Sequence, residues 1–296
     1  MRPVAEQWHA ETVVDEEQAR ALVRGQFPTI AARSVQLVGS GWDYTVFRVD
    51  DDWAFRFPRR RVVLEPMARE LAVLPRLAPL LPLAVPVPVH LGRPGDGFPW
   101  PFYGASWLSG GDAVLFENRD LLAPQLGRFL RALHAAHVPG LPSDANRRAD
   151  MSRRVPLTRE ALAAIAAQWT APPQVEDVLR DAEALPPSKL VTVCHGDLHV
   201  RQLLVEGPRL AGIIDWVDVC CSDPGIDLMV VFAFLPPAAR PAFFAEYGEA
   251  DAASLLRARV LALNISAVLA RYARAERNDP VEREALASLD RAVAGL

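Results

Sequence analysis

Apolar residues recur along this chain at two spacings, and the changes between them mark out its elements. From Tyr44 to Val49 and from Trp53 to Phe57 apolar and polar residues alternate, with Asp50-Asp51-Asp52 between the two runs. Alternation broken by an acidic turn predicts a β-hairpin. Successive strand side chains point to opposite sides, so Trp53, Phe55 and Phe57 share one face and Ala54 and Arg56 the other. Leu64, Met67, Leu71 and Leu74 then follow helical spacing, which puts Glu70 on the flank of that helix. Helical spacing returns at Leu122, Leu126, Phe129, Leu130 and Leu133, with Asp120 ahead of them as the expected cap. It returns again at Leu256, Val260, Leu263 and Ala267, and at Leu286, Leu289 and Val293. Nearer the start, Asp15 precedes a helical segment ending near Arg24, and Val35 to Val38 leads into Gly39-Ser40-Gly41. A second hairpin is expected from Gln202 to Val205, a turn at Glu206-Gly207-Pro208-Arg209, and a returning strand from Leu210 to Ile214.

Prolines punctuate the middle. Pro86-Val87-Pro88 gives an extended connector and Pro99-Trp100-Pro101 another constrained segment, after which a second lobe is expected to begin. The stretch from Leu141 to Arg153 is polar and carries Arg147, Arg148 and Arg153, with Arg154 next; a solvated face or loop is the default expectation there, and an approach to an anionic ligand is the alternative. No internal repeat or long low-complexity tail is evident.

Composition narrows the function classes. At 296 residues the chain is long enough to bury roughly 70 to 75% of its unfolded surface. Acidic residues number 36 against 32 Lys plus Arg, a net charge of -4, so no global basic field points to nucleic acid. The three cysteines, Cys194, Cys220 and Cys221, do not make a disulfide scaffold, and the apolar setting of Cys194 suits a buried thiol better than a nucleophile. Met1 to Glu17 lacks the apolar core of a secretion signal, and Leu228 to Leu235 is too short to span a bilayer. A cytoplasmic chain with no membrane partner is the expectation. His134 and His137 have no third ligand in the pattern, so packing roles are expected for both.

The chemistry concentrates in two motifs, His195-Gly196-Asp197-Leu198-His199 and Ile213-Ile214-Asp215-Trp216, on either side of the second hairpin. The turn brings Asp197, Gln202 and Asp215 together. Phosphoryl transfer to a hydroxyl needs an acceptor for the hydroxyl proton and oxygen ligands for Mg2+. Asp197 suits the first task, and Asp215 with Gln202 the second. Upstream, Ala54 leaves room for a flat ring while Arg56 reaches for phosphates, and the glycines of Gly39-Ser40-Gly41 are expected to let the chain turn tightly over a ligand.

This arrangement resembles the aminoglycoside phosphotransferase family, antibiotic and small-molecule kinases with a protein-kinase-like fold. His195-Gly196-Asp197-Leu198-His199 is similar to its catalytic loop and Ile214-Asp215-Trp216 to its metal-binding segment. The likeness continues through Asp218 into Asp223-Pro224-Gly225-Ile226-Asp227-Leu228. It implies an α+β, bilobal fold: a small antiparallel-sheet lobe over residues 1–107 and a larger, mainly helical lobe over 108–296. It further implies Asp197 as the base, Gln202 and Asp215 as ligands of Mg2+, and Gly39, Ser40, Gly41, Arg56, Glu70 and Trp107 around ATP or GTP, with Trp107 near the hinge. His195 and Asp227 would hold the catalytic loop, with His199, Asp218 and Asp223 in supporting or substrate contacts. The acceptor would be a small hydroxylated molecule, such as an aminoglycoside or macrolide antibiotic. Glu246, Glu249 and Asp251 form a candidate cluster for a cationic acceptor.

Two positions depart from the family pattern. Arg56 stands where Lys is usual, and Gln202 stands where Asn is usual, its carbonyl moved outward by a methylene. They keep open a second reading, a catalytically inactive nucleotide-binding regulatory protein. A metal-assisted hydrolase is a third, though it leaves the Arg56 strand and the aspartate-rich tail without a shared explanation.

Overall fold

The alternating hairpin becomes the middle of a five-stranded antiparallel sheet in the computed structural model, which describes residues 9–295. Residues 1–8 of the polar N-terminal segment lie outside the described part. The chain divides into two units, Met1–Pro79 with Val85–Leu108, and Leu80–Ala84 with Ser109–Leu296.

The first unit contains α1 (Glu16–Gln26), β1 (Val35–Ser40), β2 (Tyr44–Val49), β3 (Trp53–Pro58), α2 (Leu64–Leu77), β4 (Pro88–Gly92) and β5 (Phe102–Ser106). Its sheet order is β1-β2-β3-β5-β4. Asp15 caps α1 by accepting from the Gln18 N–H at 2.8 Å, Glu16 and Glu17 sit in the first turn and Arg24 in the last, all favourable to the helix dipole. The buried face of α1, Ala19, Leu22 and Val23, joins Phe47, Phe55, Phe57 and Phe102 in one core. The Phe57 and Phe102 rings stack at 4.6 Å. Each fully buried Phe contributes about 1.5–3 kcal/mol, so this layer fixes the strand register. With Phe55 and Phe57 committed to that face, Arg56 turns to the other.

The second unit contains β6 (Gly111–Asp112), α3 (Ala123–Ala135), α4 (Met151–Ala164), α5 (Gln174–Glu183), β7 (Thr192–Cys194), β8 (Leu203–Glu206), β9 (Arg209–Ile213), β10 (Cys220–Ser222), α6 (Gly225–Ala233), α7 (Arg240–Tyr247), α8 (Ala252–Ala275) and α9 (Asp279–Val293). It is mostly helical, with a three-stranded sheet β6-β8-β9 and a two-stranded ladder β10-β7. The 24-residue α8 is long and apolar enough to cross a membrane by length and composition, yet most of it is buried against α4, α5, α6 and α9. A buried ion pair, Arg119 to Glu284 at 2.6 Å, with Arg291 also on Glu284 at 2.5 Å, ties α9 to the segment before α3. The fold is thus α+β and bilobal, an antiparallel-sheet lobe followed by a mostly helical one, as in protein kinases.

Several local expectations are corrected. Asp120 does not cap a helix: it sits inside a 3-10 turn, Arg119–Leu122, and α3 begins after it with no side-chain cap. Gln202 lies in a 3-10 turn, Val200–Gln202, and β8 starts one residue later. Neither Gly39 nor Gly41 has a left-handed backbone, and Gly39 and Ser40 pair within the β1–β2 ladder opposite Val46 and Thr45. The turn therefore closes as an ordinary hairpin, with the Gly41 N–H donating to the Tyr44 carbonyl at 2.9 Å. The Arg-rich stretch expected to be a solvated face or loop runs into α4 at Met151, and Arg148 is mostly buried.

Candidate active site

The His195–His199 loop is built around Asp227, a carboxylate with no exposure to solvent. It projects from the first turn of α6 and accepts the N–H of His195 at 2.8 Å and that of Gly196 at 2.9 Å. His134 of α3 supports it from behind, Nε2 to Oδ2 at 3.3 Å, with its Nδ1 on the Tyr247 hydroxyl at 2.8 Å. Burial pushes the Asp227 pKa up, but the hydrogen bond and charge of His134, with His195 and the Gly196 N–H, outweigh it and hold the carboxyl below its ordinary range. Gly196 is required here. Its φ is +92°, and a Cβ would stand 2.4 Å from the Asp218 carbonyl oxygen.

From this anchor the loop presents its side chains. The Nδ1 of His195 accepts the Asp197 N–H at 3.3 Å while Nε2 faces the Ile214 carbonyl at 3.0 Å. Those partners assign the neutral ring protonated at Nε2. Burial lowers its pKa, which favours the neutral ring. His195 thus links the loop to the end of β9, with its ring 4.6 Å from that of Trp216. His199 accepts the Arg201 N–H at its Nδ1, 3.3 Å, and turns Nε2 toward Asp197 Oδ2 at 3.7 Å. Burial, reinforced by the Arg201 charge, pushes its pKa down to about 3. The Asp197 carboxylate that it faces is about one third exposed.

The 3-10 turn that carries Gln202 is what brings it to the Asp215 segment: the Ile214 N–H donates to the Gln202 main-chain carbonyl at 3.0 Å. Gln202 is buried, and its Oε1 has no hydrogen-bond partner. Asp215 follows with φ at +68°, a left-handed backbone uncommon for any residue but glycine. Its charge is felt by both His195 and His199, which places it with the loop.

Asp218 and Asp223 have separate structural partners. Asp223 is buried and accepts the Gly225 N–H at 2.7 Å and the Ser254 hydroxyl at 3.1 Å, with the Arg257 guanidinium 3.6 Å away, so it pins the start of α6 to α8. Asp218 pairs with Arg148 Nη2 at 2.7 Å and receives Asn146 Nδ2 at 3.2 Å. Arg148 also holds Asp144 at 2.7 Å. Burial would lower its pKa, but Asp218, Asp197 and Asp144 together raise it and lock the charge in place. The sequence pointed to Arg148 only as one of an Arg-rich cluster, and Asn146 and Asp144 were missed. The signal available was Asp144 four residues before Arg148 in a stretch otherwise poor in apolar residues.

The first unit holds the remaining predicted residues. Arg56 and Glu70, both buried, pair at 3.2 Å, and the guanidinium lies 4.2 Å from the Tyr44 ring. Arg59 donates to the Gly41 carbonyl and Arg60 to Asp43, so the glycine turn is held from the residues just after β3. Open space lies beside Gly39, where a Cβ would meet nothing within 4 Å. The Trp107 main-chain N–H donates to the Asp52 carbonyl at 2.7 Å, and its ring lies against Arg48, 4.7 Å from the guanidinium carbon. Cys194 is buried, and burial pushes its thiol well up, which removes it as a nucleophile.

Residues 34–263 match the model of the phosphotransferase enzyme family. The chain belongs to that family. None of the curated proteins matches it in sequence. Among solved structures, that of the GDP complex of aminoglycoside 2'-phosphotransferase-IIIa shares 23% identity, covering 94% of this chain and 98% of the other, with a TM-score of 0.69. The macrolide 2'-phosphotransferase MphH from Brachybacterium faecium shares 23% over 87% of this chain and 91% of its own, with a TM-score of 0.57. A streptomycin–ATP ternary complex of APH(2")-IIa shares 18%, covering 87% and 90%, with a TM-score of 0.59. At these identities the likeness to each structure is one of fold. The family model adds the span in which the phosphotransferase loop, the Gln202 turn and the Asp215 segment all fall.

Proposed function

We propose that the protein transfers the γ-phosphate of ATP or GTP to a hydroxyl of a small molecule, with Asp197 orienting the hydroxyl and accepting its proton. The observation that carries this reading is the Gln202 Oε1 atom, a buried oxygen with no hydrogen-bond partner beside the Asp215 segment. A buried acceptor left unmet costs about 1–3 kcal/mol, and a hard cation satisfies it. One carboxylate and one amide oxygen are the donors Mg2+ takes, so Asp215 and Gln202 would hold it. Bound there, the ion neutralises charge on the phosphates of the donor.

The protein's own residues do the rest. Asp227 fixes the His195 and Gly196 amides, His195 passes that order to the Asp197 N–H, and neutral His199 faces the Asp197 carboxylate without competing for the proton. In the first unit, Arg56, oriented by Glu70 and Tyr44, supplies a cation for the nucleotide phosphates, and the open edge at Gly39 gives backbone room to approach them. The names of the similar structures support a small hydroxylated acceptor, with aminoglycoside and macrolide sugars as the antibiotic candidates.

The test is mass spectrometry of a panel of alcohols, aminoglycosides and macrolides incubated separately with Mg-ATP and Mg-GTP. Gain of one phosphoryl group on a small molecule is expected. Nucleotide binding with no phosphorylated product would favour the inactive regulatory reading, and release of inorganic phosphate alone would favour the hydrolase.

A further inference from the structure

The stretch before α4 is tied to the small ladder that carries the His195–His199 loop. β7 ends at Cys194, the residue before His195, and pairs with β10 through Cys194 and Cys220. On its other edge β10 takes up the chain ahead of α4: the Cys221 N–H donates to the Pro142 carbonyl at 2.8 Å, and the Cys221 carbonyl accepts the Asp144 N–H at 3.1 Å. Asp144 is thereby fixed beside β10. Its side chain, 5% exposed, accepts from Arg148 Nη1 at 2.7 Å and from the Asn146 N–H at 3.0 Å. The second arm of Arg148, Nη2, holds Asp218 Oδ1 at 2.7 Å, and Asn146 Nδ2 donates to the same oxygen at 3.2 Å. A guanidinium that is 14% exposed has lost most of its hydration; the two carboxylates offset that loss, and the planar fork fixes both of them at once.

What the fork fixes is the wall against Gly196. A side chain at Gly196 would meet the Asp218 carbonyl oxygen at 2.4 Å and the Asp218 Cβ at 3.2 Å, so the two residues are packed backbone to backbone. The Gly196 N–H is meanwhile committed to Asp227 at 2.9 Å. The residue just before Asp197 is therefore held at its N–H by Asp227 and bounded at its α-carbon by Asp218, and the Asp218 carboxylate is itself held by Arg148 and Asn146. All of these residues belong to the second unit. We propose that Arg148 is a positioning residue for phosphoryl transfer: by keeping Asp218 against Gly196, it sets where the Asp197 carboxylate meets the acceptor hydroxyl. The inference rests on the phosphotransferase reading for the role of Asp197, and adds to it a residue that lies outside both sequence motifs.

Amide exchange and turnover of the full chain test this together, and the first needs no acceptor. By NMR, Arg148→Gln is expected to speed exchange of the Gly196 N–H by about tenfold or more while the buried middle of α8 exchanges as in wild type. Turnover is measured on whichever alcohol, aminoglycoside or macrolide gains a phosphoryl group. There Arg148→Gln is expected to lower kcat by roughly 10- to 100-fold with the KM for nucleotide unchanged, the loss expected when a reacting group is displaced by about 1 Å. Asp218→Asn breaks the same contact from the other side, so it should match Arg148→Gln and covers an Arg148→Gln variant that does not fold. The double variant should be no slower than the slower of the two, since both remove one interaction. Arg148→Lys keeps the charge without the fork and should stay closer to Arg148→Gln than to wild type. Rate losses that multiply in the double variant, or exchange that quickens equally throughout the second unit, overturn the proposal. Faster Gly196 exchange in the variants with no alcohol ever phosphorylated by the wild type leaves the brace standing and removes the phosphotransferase reading. Phosphorylation of an identified alcohol at a rate that neither single variant changes does the reverse.

Discussion

Replacing Asp227 by Asn changes one atom in the anchor of the catalytic loop, and the structure sets the size of the effect. The carboxylate accepts two backbone N–H groups, at 2.8 and 2.9 Å, and faces His134 Nε2 at 3.3 Å, with no solvent access. An Asn amide keeps one acceptor. If that oxygen stays with His195 and His134, the NH2 group points at the Gly196 N–H, donor against donor. Loss of a charge-assisted hydrogen bond costs about 1.5–3 kcal/mol and the stranded buried amide about 1–3 more, so the expected destabilisation is about 3–5 kcal/mol. For a chain of this size that is a fall in Tm of roughly 6–15 °C. The pH dependence supplies a second readout. The folded-state pKa of Asp227 is depressed, so the stability it gives is fully present above the unfolded value of about 3.9 and is lost as pH falls through the lower folded value. Urea unfolding of wild type and variant should therefore show a constant gap from pH 7 to about pH 5 and a shrinking one below pH 4. A gap under about 1 kcal/mol at pH 7, or one that widens on acidification, would refute the proposed anchor.

Three further outcomes follow from the same geometry. The His199 ring, with its pKa pushed down to about 3, should keep the nitrogen shifts of neutral imidazole from pH 8 to pH 5, and a midpoint near the ordinary 6.5 would show a ring open to solvent instead. Gly196→Ala should cost about 2–4 kcal/mol in denaturant unfolding, because the new Cβ adds a left-handed φ to a 2.4 Å approach to the Asp218 carbonyl; a neutral effect would place the loop elsewhere. Asp215→Asn should raise the Mg2+ concentration for half-maximal activity by roughly tenfold or more, and an unchanged Mg2+ dependence would remove Asp215 as a ligand.

What the sequence revealed and what it hid divide along physical lines. The Trp53–Phe57 alternation was enough to place Phe55 and Phe57 in the core and to turn Arg56 toward Glu70, because strand periodicity fixes side-chain direction locally. The Asp15 cap was legible for the same reason, since its partner is three residues away. Asp120 looked equally good but sits in a 3-10 turn, where the buried Arg119–Glu284 pair, formed across 165 residues, fixes the backbone. The start of α4 was hidden by its Arg-rich approach, which read as a solvated face or loop, and the helix also carries Pro156 inside it. The hold of Arg148 on the loop was invisible because it depends on Asp218, supplied by a distant segment. Gln202 was named as a ligand from its spacing, but only the turn geometry shows its oxygen unmet.

The proposed phosphoryl transfer requires Asp197 to receive the acceptor proton. Its most direct measurement is the turnover of Asp197→Asn beside wild type, with nucleotide affinity and unfolding midpoint recorded on the same samples. The substitution preserves shape and removes the proton acceptor, so kcat for phosphorylation of a small alcohol should fall by about 10^2 to 10^4 with nucleotide affinity and stability unchanged. Turnover within a few-fold of wild type, on an acceptor whose phosphorylated product has been identified, would contradict the account.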